Sequence, residues 1–153
     1  MTHKQTSETN RRDNMRVQAR LHFCVSIIEG INQKTGTYTY DKCFCTTSAD
    51  ISLGGICIAH NGELNVGFDV EISTPEKMTR PECISCEKAF LYTNELELQP
   101  IIGKVVWSTG NRCGISFKKM TVRNENILSK FIWDEHLNDV RSVKQQVTKQ
   151  RKF

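Results

Sequence analysis

Val17-Gln18-Ala19-Arg20-Leu21-His22-Phe23-Cys24-Val25-Ser26-Ile27 is apolar at every odd position, with Gln18, Arg20, His22 and Ser26 on the even ones. Side chains alternate faces along an extended backbone, so this run predicts a strand with one face in a core. The chain repeats the device. Residues 29–39, with Gly30 and Gly36, read as a loop or wide bend, and 40–49 resume as a strand that delivers Asp50. Residues 56–59 start another strand. Behind the His60-Asn61-Gly62 turn, Val66, Phe68, Val70 and Ile72 alternate with Gly67, Asp69, Glu71 and Ser73. Residues 96–107 and 113–117 give two final strands joined through Thr109-Gly110-Asn111. Short strands at close spacing with turns between them predict an all-β fold, a small barrel.

After Met120 the period changes. Ile127, Leu128, Phe131, Ile132, Val140, Val143 and Val147 recur at spacings of three and four, which predicts a C-terminal α-helix over 121–147 with Asn124 or Asn126 as its N-cap. The first half of its apolar stripe is expected on the barrel, and its length allows a homodimer through the helix. The organisation expected is a flexible leader (1–10), a barrel (11–120), the helix (121–147) and a basic tail (148–153). Residues 74–94, with Pro75, Pro81 and Cys83-x-x-Cys86, read as an insertion between strands.

At 153 residues the chain is long enough for one self-sufficient core. No stretch approaches the ~18 apolar residues of a membrane span, and residues 1–10 are polar, so a cytoplasmic location is expected. Seven cysteines in that setting predict reduced thiols. The formal net charge of +4 is uneven: residues 1–20 carry +3 and residues 141–153 carry +5, leaving −4 in the middle. Basic ends of this kind point to an anionic partner, or at the C-terminus simply to a solvated tail.

Asp50-Ile51-Ser52-Leu53-Gly54-Gly55 ends one strand and begins the next. Asp50 and Ser52, two apart, share a face of an extended backbone, and Gly54 and Gly55 offer positive φ or a close backbone approach. Upstream, Arg11 and Arg12 precede Arg16 at the edge of the first strand. Guanidinium forks bind phosphate bidentately and stack on purines, and a carboxylate such as Asp50 can accept from the N1 and N2 donors of guanine.

The pair Arg11-Arg12-x-x-x-Arg16-Val17 and Asp50-x-Ser52-x-x-Gly55 resembles the signature of PilZ domains, which bind the bacterial second messenger cyclic di-GMP. Gly103-Lys-Val-Val-Trp107 followed by Gly114-Ile-Ser-Phe117 is similar to the family's last two strands, so the resemblance spans about 11–135. Arg16-x-x-x-Arg20 has the same spacing, but the double arginine and Val17 favour the first register. The resemblance implies a six-stranded antiparallel PilZ-type β-barrel with a C-terminal helix, no catalysis and no cofactor beyond the ligand cyclic di-GMP. It implies that Arg12 and Arg16 clamp phosphates and stack on guanines with support from Arg11, while Asp50, Ser52, Gly54 and Gly55 approach a guanine edge. Ordering of the arginine arm on binding would then signal to a downstream protein. The span between the two motifs, extended around residues 32–37, and the 74–94 insertion depart from the family pattern.

Four alternatives compete with that reading. Cys43-x-Cys45 and Cys83-x-x-Cys86 could form a tetrahedral zinc set, although only the second has the usual spacing. Ser52 as a nucleophile with His22, His60 or His136 as base lacks a nucleophile-elbow sequence, and exposure is the ordinary expectation for His60 in a turn and His136 on a helix. A small barrel using its basic ends to track single-stranded nucleic acid would need aromatics interleaved with Lys and Arg, and Tyr38, Tyr40 and Phe44 are not. A protein-interaction adaptor that binds no ligand is the remaining possibility.

Overall fold

In a computed structural model of the chain, residues 15–74 and 96–151 are described, with side chains through residue 142. Arg11, Arg12, Cys83, Cys86, the expected leader and nearly all of the expected insertion lie outside them. In order come β1 (Val17–Gln18), β2 (His22–Ile31), β3 (Tyr38–Ile51), β4 (Gly55–Ala59), β5 (Asp69–Ser73), β6 (Ile101–Ser108), β7 (Arg112–Lys119) and α1 (Val122–Arg151). Six strands close a ring in the order β3-β2-β5-β6-β7-β4, with β4 returning to β3. Every pairing is antiparallel, and β1 adds two residues beside the end of β3. The fold is the expected six-stranded antiparallel barrel with a C-terminal helix.

The register explains the core. Val17 opposes Ile51, Ile51 opposes Ile56, Ile56 opposes Ile115, and Ile115 opposes Val105. Residues paired in this way share a face, so the row lines the interior, where each is at most 3% exposed. Burying each such side chain contributes roughly 1.5–3 kcal/mol.

The alternating run at 17–27 is not one strand. The ladder breaks at residues 19–21, where Ser48 of β3 inserts its hydroxyl: Oγ donates to the Ala19 carbonyl and accepts from the Leu21 N–H at 3.0 Å. The odd positions still point inward, since Val17, Phe23, Val25 and Ile27 are buried and Ala19 and Leu21 pack against them. Beyond the break, β2 reaches Ile31 and β3 begins at Tyr38, so the expected loop at 29–39 shrinks to a turn held by the Asn32 carbonyl, which accepts from the Gly36 N–H at 2.7 Å.

Two other strands are shorter than their hydrophobic pattern. Residues 66–68 form a turn before β5, with Gly67 at φ +94°, the Phe68 N–H bonded to the Asn65 carbonyl and Val66 exposed. Residues 96–100 are not strand, although Leu96 and Leu98 are buried. Their backbone is tied instead to the buried Asn124, whose Oδ1 accepts from the Gln99 N–H at 2.9 Å and whose Nδ2 donates to the Gln99 carbonyl at 3.0 Å. Asn124 is therefore not the helix cap. Thr121 is, its Oγ1 accepting from the Asn124 N–H at 3.1 Å, and Glu125 adds a negative charge to the first turn.

The buried stripe of α1 is Asn124, Leu128 and Ile132, with Ile127 and Phe131 beside it, and the helix packs against β1. Trp133 and Val140 face solvent, at 52% and 37% exposure. The helix runs to Arg151, beyond the expected end at 147 and into the stretch read as a tail. No helix among the described residues is long and apolar enough to cross a membrane.

Candidate functional site

β3 brings Asp50 to the rim of the barrel and β4 leaves from Gly55, so residues 52–54 must reverse the chain. Ser52, 1% exposed, organises the reversal. Its N–H donates to the Gly55 carbonyl at 2.9 Å, while its Oγ accepts from the N–H groups of Gly54 and Gly55 at 3.2 and 3.1 Å. Capture of backbone donors two and three residues ahead is what a serine hydroxyl does in a tight turn. The hydroxyl is thus engaged by its own loop. Neither Gly54 nor Gly55 has a positive φ. Close approach is what requires Gly55, because a Cβ there would lie 2.4 Å from the Ile115 carbonyl oxygen of β7.

Outside the barrel the register builds a second row. Gln18 opposes Asp50, Asp50 opposes Cys57, Cys57 opposes Gly114, and Gly114 opposes Trp107. These five positions cross five strands on one face. Arg16, just before β1, reaches onto this row, with Nη1 3.1 Å from Asp50 Oδ1. Both partners are partly solvated, at 57% and 31% side-chain exposure, so the pair contributes little to stability, roughly 0–1 kcal/mol. What it does fix is position, holding a guanidinium beside a carboxylate above the Ser52 turn.

Trp107 completes the surface. Its indole lies on Gly114, where a Cβ would come within 2.0 Å of Nε1, and the ring is 40% exposed. A glycine opposite an aromatic residue in a sheet lets the ring lie flat across the neighbouring strand. The Cys57 thiol sits within this row at 4% exposure. Burial pushes its pKa above the usual 9.0, Asp50 pushes the same way, and Arg112 and Arg16 oppose.

Arg16, Ser52, Gly54 and Gly55 line one depression of about 250 Å³, together with Val106, Trp107, Gly114 and Ser116. The structure therefore brings Arg16, Asp50, Ser52, Gly54 and Gly55 together, while Arg11 and Arg12 fall outside the described residues. The sequence favours Trp107 as barrel core over a ligand platform and does not single out Val106 or Ser116, whereas the structure sets Trp107 on the outside of the barrel. The signal was present in the strand pair 101–108 and 112–119, whose register sets Trp107 against Gly114.

The competing chemistries find different surroundings. His60 is buried at 5% exposure, contrary to the exposure expected for a turn residue. Its Nδ1 accepts from the Gly62 and Leu64 N–H groups at 3.2 and 3.4 Å, and its Nε2 donates to the Thr109 carbonyl at 2.8 Å. This ring pins the β4–β5 loop to the β6–β7 turn. Cys43 and Cys45 lie on β3 and their proposed partners Cys83 and Cys86 are outside the described residues, among which no group of three metal-binding side chains converges.

The PilZ-domain family model matches residues 10–133. Solved structures that resemble the chain include the PilZ domain with c-di-GMP of YcgR from Escherichia coli, at 13% identity and a TM-score of 0.49, with 84% of this chain and 94% of that one covered. Another is the PilZ domain of CeSA from a cellulose-synthesizing bacterium, at 13% identity and a TM-score of 0.43, with 78% and 95% covered. Among curated proteins none matches. With the family's pattern matched across 10–133 and its barrel built from those residues, the chain belongs to the PilZ domain family.

Proposed function

We propose that this protein is a cytoplasmic cyclic di-GMP receptor, a binding protein rather than an enzyme. It acts by changing conformation on binding and presenting a new surface to a downstream protein in motility, exopolysaccharide or biofilm control. The observation that carries this reading is the Arg16–Asp50 pair set beside the exposed face of Trp107 above the Ser52–Gly55 turn. A guanine needs an acceptor for its N1–H and N2–H groups and a flat partner for its ring, and its phosphates need a cation. Asp50, Trp107 and Arg16 provide these in that order. Ser52 contributes by shaping the turn with its hydroxyl rather than by offering that hydroxyl to the ligand.

Arg11 and Arg12 lie five and four residues before Arg16, close enough in sequence for the same ligand to gather them. Ordering of that arm is the proposed switch, a change driven by charge-assisted hydrogen bonds to phosphate. The exposed Trp133 on α1 supports a second contact, the homodimer through the helix. A concentration-independent monomer mass in light scattering would remove the dimer and leave the receptor reading intact.

Fluorescence titration with cyclic di-GMP in a Trp133→Phe background, where Trp107 is the only reporter, tests the placement. Saturable quenching that GTP does not reproduce supports the site; an unresponsive Trp107 argues against stacking there. The nucleic-acid alternative separates by salt, since a polyphosphate track loses affinity steeply with ionic strength and a two-phosphate ligand loses little.

A further inference from the structure

A larger depression, about 640 Å³, lies further along the same barrel wall. Arg20 and Arg112 line it with Gln18, Thr47 and Ser48, and Ala19, Ala49 and Ala59 keep its floor low. The fold assembles it from distant parts of the chain. Ser48 opens the β1–β2 break that carries Arg20, and Arg112 opens β7 opposite Ala59 of β4. No carboxylate lines the depression, and among the described residues neither arginine has an acidic partner, in contrast to Arg16 on Asp50. Two guanidinium groups with no counter-charge, facing one ligand-sized hollow, raise the local potential for an anion.

We propose that this hollow is a second anion site, separate from the Arg16–Asp50 site, that takes the diphosphate portion of a small phosphorylated molecule on Arg20 and Arg112. The guanidinium fork matches phosphoryl oxygens bidentately, and two forks match two phosphoryl groups. Gln18 and Thr47 supply neutral donors at the rim. No aromatic ring lines the hollow, so recognition rests on the phosphates and not on a base. The two sites adjoin, because Gln18 opposes Asp50 and both Arg16 and Arg112 act on the Cys57 thiol between them. This inference goes beyond the cyclic di-GMP reading and stands without it.

The test is NMR titration of the full chain with inorganic pyrophosphate at constant ionic strength, following the arginine Nε–Hε signals. The expected result is a saturable shift of the Arg20 and Arg112 signals, retained in Arg16→Ala and in protein exposed to excess cyclic di-GMP. Arg20→Ala and Arg112→Ala should each weaken binding about tenfold, the scale of one charge-assisted contact. Both residues are exposed, so the variants should keep the core amide pattern. Absence of a saturable shift, unchanged affinity in the double variant, or displacement by cyclic di-GMP would each overturn the proposal. Failure of cyclic di-GMP itself to bind would be read separately, from the Arg16 signal.

Discussion

Trp107 lies across Gly114 so closely that one added methyl group on the glycine would sit 2.0 Å from the indole Nε1. Gly114→Ala must therefore lift the ring. Because Trp107 is a partly exposed side chain at the barrel surface, it can move without unfolding the sheet. The expected outcome is a red-shifted Trp107 emission in a Trp133→Phe background, a thermal midpoint within a few degrees of the parent, and cyclic di-GMP affinity weakened by about tenfold, the scale of a lost stacking contact. Unchanged affinity with a displaced ring would exclude Trp107 from the site.

Gly55→Ala meets a different obstacle. Its Cβ would lie 2.4 Å from the Ile115 carbonyl, which is backbone and paired within the β4–β7 ladder. The cost should fall on stability, about 1–3 kcal/mol as for overpacking, measured by urea denaturation. Parent-like stability would mean that β4 and β7 shift apart easily.

His60→Ala should destabilise by a comparable amount, about 1–3 kcal/mol, because the Gly62 and Leu64 N–H groups lose their acceptor and the Thr109 carbonyl loses one of its donors. His60→Gln should recover part of the loss. A neutral effect of the alanine, seen by thermal denaturation, would show that water replaces the ring.

Such positions mark where the sequence was legible and where it was not. Alternation told the strands because Val17, Phe23, Val25 and Ile27 face one core, and the Thr109-Gly110-Asn111 turn is local chemistry. Arg16 of the first motif meets Asp50 of the second because Asp50 lies next to the end of β3, where β1 pairs with it. The break at residues 19–21 was not legible, since it depends on the hydroxyl of Ser48, 27 positions from Leu21. Residues 96–100 misled for the same reason: their polar backbone is satisfied by Asn124 from the helix, 25 positions from Gln99, which frees a buried segment from the sheet. His60 was read as exposed because its partners at Thr109 and Arg112 come from another hairpin.

The thiols give a pH prediction. Cys113, fully buried, is pushed up from 9.0 to about 12, first by burial and then by Cys57 and Glu63. Between pH 9 and 12 the unfolded thiol ionises while the folded one stays protonated, so its contribution to stability is complete below pH 9 and falls as pH rises through that window. Cys113→Ala should flatten the decline in denaturation midpoint between pH 9 and 11 relative to the parent. An identical slope would contradict the assignment. In the folded protein at pH 8, iodoacetamide followed by mass spectrometry should label the exposed Cys43 well before Cys113.

The most direct measurement of the central claim is calorimetric titration of the protein with cyclic di-GMP, beside Arg16→Ala and with GTP as the control ligand. Arg16 is exposed and its pair with Asp50 stabilises little, so the variant should fold as the parent does while losing its contacts to phosphate. The account predicts saturable binding of cyclic di-GMP, none of GTP at the same concentrations, and an affinity reduced by about 10- to 100-fold in Arg16→Ala. Absence of binding by the unaltered protein, or binding that Arg16→Ala leaves intact, would contradict it.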